Sequence, residues 1–287
     1  MKYRDFVSGI IQAYQHTGGI KTLKLGSFDQ TWFQQIQAEC SWIIENAGSS
    51  DVTAPGHVTN WTRPTGEVRQ FSLFNDTGNS ADTKGDYGYQ GATKNKRLVY
   101  PQLEGLARFA ALFQPALRNL RLNGMGQKSA LNAHEEGSIV VSNFRYNYIA
   151  RFHLPVFASE TASVYLDGEK FHYDEGSLYF FNHGCVHAAS NDGPDPRYHL
   201  VLDCFLDRGL FDRIFPGSPS RFAGFEKSSD TSAKPVGEEY HFPDFAQEGG
   251  RILSGPIAYG RRVPRRLDGL RRDYPSLFQM FSRKASQ

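Results

Sequence analysis

The stretch that decides the fold runs from residue 177 to residue 205 and reads SLYFFNHGCVHAASNDGPDPRYHLVLDCF. Three short runs rich in apolar and aromatic residues are separated by segments of Gly, Asn, Asp and Pro, an order typical of strands and turns. In the last run, polar residues such as Arg197, His199 and Asp203 alternate with apolar ones such as Leu200 and Leu202. Because side chains alternate between the two faces of a strand, this run predicts a strand with one polar and one apolar face.

Short strand-like runs of this kind extend outward to residue 117. We predict the strands Leu117–Asn123, Ala130–His134, Tyr148–Phe157, Ala162–Leu166, Lys170–Tyr173, Ser177–Phe181, Val186–Ser190 and Arg197–Phe205. Strands of this length, separated by turn signals such as Asp167-Gly168 and Glu175-Gly176, are typical of a sandwich or jelly roll. We see no solenoid-type repeat and no domain boundary, so we expect one domain over residues 1–287 with its β core over 117–207.

The first 116 residues carry helical patterns and one long polar loop. Apolar residues spaced by three and four predict helices over 30–48 and 101–116, and Val68–Phe74 has the alternation of a strand. The Gly-rich stretch 75–96 is either a lid or a surface loop. We expect residues 1–116 to support the core and residues 208–287 to form a C-terminal extension that ends in a basic helix over 261–281.

The composition excludes several classes of protein. The chain of 287 residues is 39% hydrophobic and 14% aromatic, which suits a packed β core, and its net charge of +2 is too small to imply nucleic acid or an anionic membrane as a partner. Three cysteines do not make a disulfide framework. No apolar run reaches the length of a membrane span, and the N-terminus has no signal-peptide core. We therefore expect a cytoplasmic protein without a nucleic-acid or membrane partner.

A candidate metal site is formed by His134, Glu136 and His187. His134 and Glu136 are two residues apart, so on a strand they would share a face, and His187 would come from a neighbouring strand. Two imidazoles and one carboxylate form the three-ligand face that binds non-heme Fe(II) and leaves positions open for substrate and O2. A His-x-Glu pair alone is usually solvated surface, but Arg197, ten residues after His187, adds a planar fork for a carboxylate.

Two strands carry near-copies of one motif, Arg151-Phe-His153-Leu and Arg197-Tyr-His199-Leu. Arginine and histidine are costly to bury unless they are paired, so two interpretations stand. Either these residues face solvent on one side of a sheet, or they line a polar pocket that receives a dianion. We favour the pocket because both polar faces fall beside the candidate metal ligands.

These motifs, taken in order, resemble the aspartyl/asparaginyl β-hydroxylase family of Fe(II)/2-oxoglutarate oxygenases, including its bacterial proline cis-4-hydroxylase-like branch. The resemblance covers residues 117–207 and follows His134, the Arg151 and Arg197 motifs, the strand after Glu175-Gly176, and His187. The interval from His187 to Arg197 is its most specific element. One departure is Glu136, because the hydroxylase branch has Asp at this position.

The resemblance implies a mainly β, double-stranded β-helix (jelly-roll) core with flanking helices, and the cofactors Fe(II), 2-oxoglutarate and O2. It implies that Arg197 clamps the far carboxylate of 2-oxoglutarate, near which Asn123 lies. It also implies that Arg151 and His153 either support the metal-proximal end of the cosubstrate or line its pocket. The expected reaction is hydroxylation of an amino acid or an amino-acid-derived small molecule, with release of succinate and CO2. The alternative is a cupin-like metal-binding protein or a non-redox metal enzyme, neither of which needs the Arg197 clamp.

Overall fold

The computed structural model describes residues 1–14, 19–57, 59, 62–83, 95–136, 139–142, 145–236, 244–247 and 252–254. The predicted basic helix over 261–281 lies outside these residues, and so does half of the predicted lid, 84–94.

The described chain has four helices, α1 (Tyr3–Tyr14), α2 (Gln30–Asn46), α3 (Glu104–Phe113) and α4 (Arg208–Ile214). The α2 helix begins where Asp29 accepts a hydrogen bond from the backbone N–H of Trp32 at 2.8 Å, and its buried face is formed by Trp32, Ile36, Cys40 and Ile43. No helix in the described part of the chain is long and apolar enough to cross a membrane.

The strands outnumber the helices, and most of them pair in an antiparallel fashion. In chain order they are β1 (Thr22–Phe28), β2 (Ser50–Asp51), β3 (Val68–Ser72), β4 (Phe74–Asn75), β5 (Arg97–Leu98), β6 (Leu117–Met125), β7 (Ser129–Glu135), β8 (Ile139–Ser142), β9 (Arg145–Phe157), β10 (Ala162–Leu166), β11 (Glu169–Phe171), β12 (Ser177–Phe181), β13 (His187–Asn191), β14 (Arg197–Phe205), β15 (Phe225–Lys227), β16 (Asp244–Gln247) and β17 (Ile252–Ser254).

Two sheets contain nearly all of these strands. The major sheet has the order β15-β1-β12-β9-β14-β6-β3-β2, with β8 paired to β9, and the minor sheet has the order β11-β10-β13-β7-β16-β17. The hairpin between β10 and β11 turns at Asp167 and Gly168, whose φ values of +48° and +87° are those that a two-residue hairpin turn requires. The fold is thus mainly β with two jelly-roll sheets, as the sequence predicts.

The major sheet has one apolar and one polar face at its centre. Phe152 and Leu154 of β9 and Leu200 and Leu202 of β14 belong to the main core, which also contains the buried side of the helices. The ring of Phe152, for example, packs 5.5 Å from that of Phe113 in α3. The opposite face turns toward the minor sheet, and it carries the polar residues of the two Arg-x-His motifs. The predicted alternation of β9 and β14 is confirmed.

The N-terminal region contributes a strand that was not predicted, Thr22–Phe28 (β1), which pairs between β12 and β15 in the major sheet. The predicted strand over 68–74 is present as β3, which pairs with β6. The helix predicted over 30–48 is present as α2, which begins after Asp29 because this residue caps its first turn. The segment after residue 207, which has a Pro-, Gly- and Ser-rich composition, also contains α4 and β15.

Candidate active site

A cavity of about 90 Å³ lies between the polar face of the major sheet and the minor sheet. All of the site residues predicted from the sequence line it, namely Asn123, His134, Glu136, Arg151, His153, His187 and Arg197. The two imidazoles of the candidate metal site come from the minor sheet, and the arginines come from the major sheet. The two sheets therefore supply different parts of one polar cavity.

His134, Glu136 and His187 come together as a candidate metal site. His134 on β7 is paired in register with His187 on β13, and their ring centroids are 4.1 Å apart. Glu136 follows the end of β7, and its Oε1 lies 3.8 Å from Nε2 of His134. One ligand atom from each of the three residues lies within 4.8 Å of the others, which is the spacing of groups that could share one ion.

Backbone carbonyls orient both imidazoles of the candidate metal site. Nδ1 of His134 lies 2.6 Å from the carbonyl oxygen of Asn132, and Nδ1 of His187 lies 2.9 Å from that of Cys185. A carbonyl can only accept, so each Nδ1 carries the proton and each Nε2 keeps a lone pair. Nε2 of His187 is buried and has no hydrogen-bond partner. Burial lowers the pKa of both imidazoles, which keeps them in the neutral form that binds metals.

The carboxylate of Glu136 is ionised and held by an arginine. Oε2 of Glu136 lies 2.7 Å from Nη2 of Arg151. Burial alone would raise the pKa of Glu136, but Arg151, His183 and His134 outweigh it and lower the pKa to about 2. The site therefore combines two neutral imidazoles with one anionic carboxylate.

A buried carboxylate, Asp203, anchors the base of the site, and our sequence analysis gave it no role. It accepts hydrogen bonds from Nε and Nη2 of Arg151 at 2.7 and 3.0 Å, from Nη2 of Arg121 at 3.1 Å and from Nδ2 of Asn119 at 2.8 Å. Burial raises the pKa of Asp203, but the two arginines hold it well below its usual range. The signal was present in β6, where Asn119 and Arg121 alternate with Leu120 and Leu122.

Arg197 has unused hydrogen-bond donors inside the cavity. Its side chain is only 4% exposed, and its Nε and Nη1 are buried without a hydrogen-bond partner. Burial lowers its pKa to about 10, so it remains a cation at neutral pH. Val52, Val68 and Met125 form an apolar cluster in the same cavity. A buried guanidinium with free donors is a binding site for a carboxylate or a similar anion.

Two neutral histidines lie beside Arg197. Nη2 of Arg197 is 3.4 Å from Nδ1 of His199, which is in turn 3.4 Å from Nδ1 of His153. Arginine can only donate, so the lone pair of His199 Nδ1 faces Arg197. Nε2 of His153 is a buried polar atom without a hydrogen-bond partner. The side-chain oxygen of Asn123, also in the cavity, is a buried acceptor without a partner.

The charges of the site favour an anionic ligand. Among the described residues, the guanidinium groups of Arg121, Arg151 and Arg197 outnumber the carboxylates of Glu136 and Asp203 by one. A divalent cation bound at the histidine and glutamate ligands would increase this excess of positive charge. A cavity of this kind can bind a metal ion at one place and a dianion that spans from the ion to Arg197.

Comparison with known proteins gives a family match. Residues 33–206, more than half of the chain, match the family model described as Aspartyl/Asparaginyl beta-hydroxylase. No curated protein sequence matches the chain.

Several solved structures resemble this fold. An oxidoreductase of the 2OG-Fe(II) oxygenase family from Burkholderia pseudomallei is 15% identical, with a TM-score of 0.40 over 70% of this chain and 94% of that one. A prolyl-4-hydroxylase from Pseudomonas putida is 13% identical, with a TM-score of 0.39 over 69% and 99% of the two chains. The epimerase SnoN from nogalamycin biosynthesis is 11% identical, with a TM-score of 0.43 over 83% and 100%. At this level of similarity they say nothing about the substrate or cofactor of this chain.

Proposed function

This chain belongs to the aspartyl/asparaginyl β-hydroxylase family, and from that premise we propose that it is an Fe(II)- and 2-oxoglutarate-dependent hydroxylase. The observation that carries the proposal is the pairing, in one cavity, of a facial ligand set with a buried arginine whose donors are unused. The ligand set would bind the metal ion, and the arginine would bind a carboxylate of an oxo-acid cosubstrate. Neither feature alone would distinguish an oxygenase from other metal proteins.

His134, Glu136 and His187 would hold the iron. The buried Nε2 of His187 has no partner in the protein, and an imidazole nitrogen with a lone pair in that position needs a cation or a proton donor. Two imidazoles and one carboxylate suit Fe(II), and a set of three protein ligands would leave coordination positions for other ligands.

Arg197 would bind the far carboxylate of 2-oxoglutarate. Nε and Nη1 of the arginine are the donors that have no partner in the protein, and the apolar side chains of Val52, Val68 and Met125 line the same cavity. His199 orients Nη2 of the same guanidinium. His153 and Asn123 offer buried polar atoms without partners along the cavity, where they would contact the cosubstrate or an ordered water.

The protein contributes binding, orientation and exclusion of water to the reaction. When bound, Fe(II) with 2-oxoglutarate and O2 supplies the oxidising chemistry that hydroxylates a C–H bond and yields succinate and CO2. His134, Glu136 and His187 fix where that chemistry takes place, and Arg197 fixes the orientation of the cosubstrate. The substrate is an amino acid or an amino-acid-derived small molecule, a class that the family description supports.

Two measurements test this function. First, 2-oxoglutarate is titrated into the Mn(II)-loaded protein under anaerobic conditions, where we expect saturable binding that depends on the metal. Second, amino acids and related metabolites are screened with Fe(II), 2-oxoglutarate and O2 for substrate-dependent formation of succinate, followed by mass detection of a product that has gained one oxygen atom. Failure to bind 2-oxoglutarate at millimolar concentration would instead favour a metal-binding protein without oxygenase activity.

A further inference from the structure

Arg151 has contacts that differ from those of a cosubstrate clamp. Its Nε and Nη2 bind Asp203 at 2.7 and 3.0 Å, and Nη2 also lies 2.7 Å from Oε2 of Glu136. Arg151 is 6% exposed, and Asp203 is fully buried. The guanidinium of Arg151 thus lies between the buried carboxylate of Asp203 and the candidate metal ligand Glu136. Arg197 differs, because it has two donors without a partner.

The two carboxylate oxygens of Glu136 have different neighbours. Oε2 faces Arg151, while Oε1 lies 3.8 Å from Nε2 of His134, on the side of the two imidazoles. The carboxylate therefore offers the imidazole side one oxygen. A ligand that uses a single oxygen leaves more positions free on an ion than one that uses both.

We propose that Arg151 is a positioning residue for the metal ligand Glu136: anchored on Asp203, it holds Oε2 so that Oε1 alone faces the metal site. This inference rests on the proposed function, because it concerns the same metal site.

The chain offers a matched control in Arg121. This arginine is also buried, at 2% exposure, and its Nη2 contacts the same Oδ2 of Asp203 at 3.1 Å. Arg151→Lys and Arg121→Lys both keep a positive charge and both weaken the hold on Asp203. Arg151→Lys also weakens the hold on Glu136. A purely structural role for Arg151 therefore predicts that each variant loses Mn(II) affinity only in proportion to its loss of thermal stability.

Metal affinity is the primary measurement. We expect Arg151→Lys to raise the Mn(II) dissociation constant, followed by electron paramagnetic resonance, by about 10–100-fold, the usual effect of losing a partner that orients a metal ligand. Arg121→Lys should change it much less, although both variants should lower the melting temperature of the metal-free protein. Glu136→Asp should weaken Mn(II) binding as well, and the loss in the double variant Arg151→Lys/Glu136→Asp should be smaller than the two single losses combined, because both substitutions act on the contact between Arg151 and Glu136.

The outcomes separate this inference from the proposed function. Equal losses of Mn(II) affinity in Arg151→Lys and Arg121→Lys, or additive losses in the double variant, would overturn the positioning role. A 2-oxoglutarate dissociation constant that rises as much in Arg151→Lys as in Arg197→Lys, at saturating Mn(II), would overturn it too, because Arg151 would then bind the cosubstrate. If the wild-type protein binds Mn(II) but not 2-oxoglutarate, the proposed function fails while the positioning role is still decided by the Mn(II) series.

Discussion

At the scale of single residues, the informative atoms are those whose hydrogen-bonding capacity the protein leaves unused. Buried polar atoms are almost always satisfied, because an unsatisfied one costs about 1–3 kcal/mol. Here Nε2 of His187, Nε and Nη1 of Arg197, and Oδ1 of Asn123 are such atoms, and all of these residues line one cavity. A ligand that satisfies them together would bind tightly for that reason. The donors match a carboxylate, and the imidazole nitrogen matches a cation.

The first residue-scale prediction concerns Arg197. Each charge-assisted hydrogen bond of its guanidinium is worth about 1.5–3 kcal/mol, and about 1.4 kcal/mol corresponds to a factor of ten in affinity. Arg197→Ala should therefore raise the dissociation constant for 2-oxoglutarate by about tenfold or more, and Arg197→Lys, which keeps the charge but loses the fork, should fall between it and the wild type. Calorimetric titration of the Mn(II) proteins measures this, and Mn(II) affinity itself should barely change. Normal 2-oxoglutarate binding in Arg197→Ala would mean that another group holds the carboxylate.

The second residue-scale prediction concerns His187. His187→Ala removes one of two imidazoles, so Fe(II) binding and turnover should be lost while the circular dichroism spectrum stays that of the folded protein. His172→Gln serves as the control, because His172 lies outside the cavity and is partly exposed, with Nδ1 near the carbonyl oxygen of Ala162. Turnover near the wild-type rate in His187→Ala would remove this histidine from the metal site.

At the scale of elements, the two supporting helices α2 and α3 are joined by a side chain at a helix end. The residue before α3, Leu103, provides no side-chain cap. Instead, Glu39 of α2 accepts hydrogen bonds from the backbone N–H groups of Gly105 and Leu106 at 2.8 and 2.7 Å. These N–H groups belong to the first turn of α3, where the helix dipole also favours a negative charge. One helix thus caps the next, behind the apolar face of the major sheet.

We predict that Glu39→Ala lowers the free energy of unfolding by about 1–2 kcal/mol, because two N–H groups at the start of α3 lose their partner. Glu39→Gln keeps one acceptor oxygen without the charge and should fall between the wild type and Glu39→Ala. Urea denaturation measures the change. The control is Glu45→Ala, an exposed position on the same helix, which should stay within about 0.5 kcal/mol of the wild type. An equal loss in Glu45→Ala and Glu39→Ala would argue against the cap.

At the scale of the whole molecule, the jelly-roll sheets enclose several neutral histidines. Burial, and then the charges of Arg151 and Arg197, hold the pKa of His153 well below 6.5, although Asp203 acts in the opposite direction. Burial, Arg197 and His153 do the same for the pKa of His199. These imidazoles stay neutral in the folded protein at pH values where an unfolded chain would protonate them. The unfolded state then binds more protons, so acid favours unfolding.

We therefore predict that the metal-free protein loses stability as the pH falls below about 6.5, the pKa of an unperturbed histidine. Each of the two histidines contributes a slope of up to about 1.4 kcal/mol per pH unit. Urea denaturation between pH 7.5 and 5.5 measures the slope, and His153→Asn should reduce it by about one proton relative to the wild type. Identical slopes for the two proteins would show that His153 does not titrate differently in the folded and unfolded states.

Much of the β core could be predicted from local sequence. The alternation in Arg197–Phe205, the turn at Asp167-Gly168 and the amphipathic spacing after Gln30 match β14, the β10–β11 turn and α2. These features can be predicted because the side-chain periods of a strand and of a helix are visible within a few consecutive residues. The spacing of His134, Glu136, His187 and Arg197, together with the family motifs, likewise indicated which residues would share a site.

The tertiary structure alone decided which distant residues meet. Local sequence does not show that Thr22–Phe28 pairs with β12, or that Glu39 caps α3, because each contact has a partner more than 60 residues away. The contacts of Asp203 with Arg121, and of Arg151 with Glu136, also join separate strands and a loop. Sequence pattern determines which face of a strand is polar, since the side-chain period is local. Which polar groups satisfy one another, and which are left for a ligand, is set by the packing of the sheets, since only folding brings those strands together.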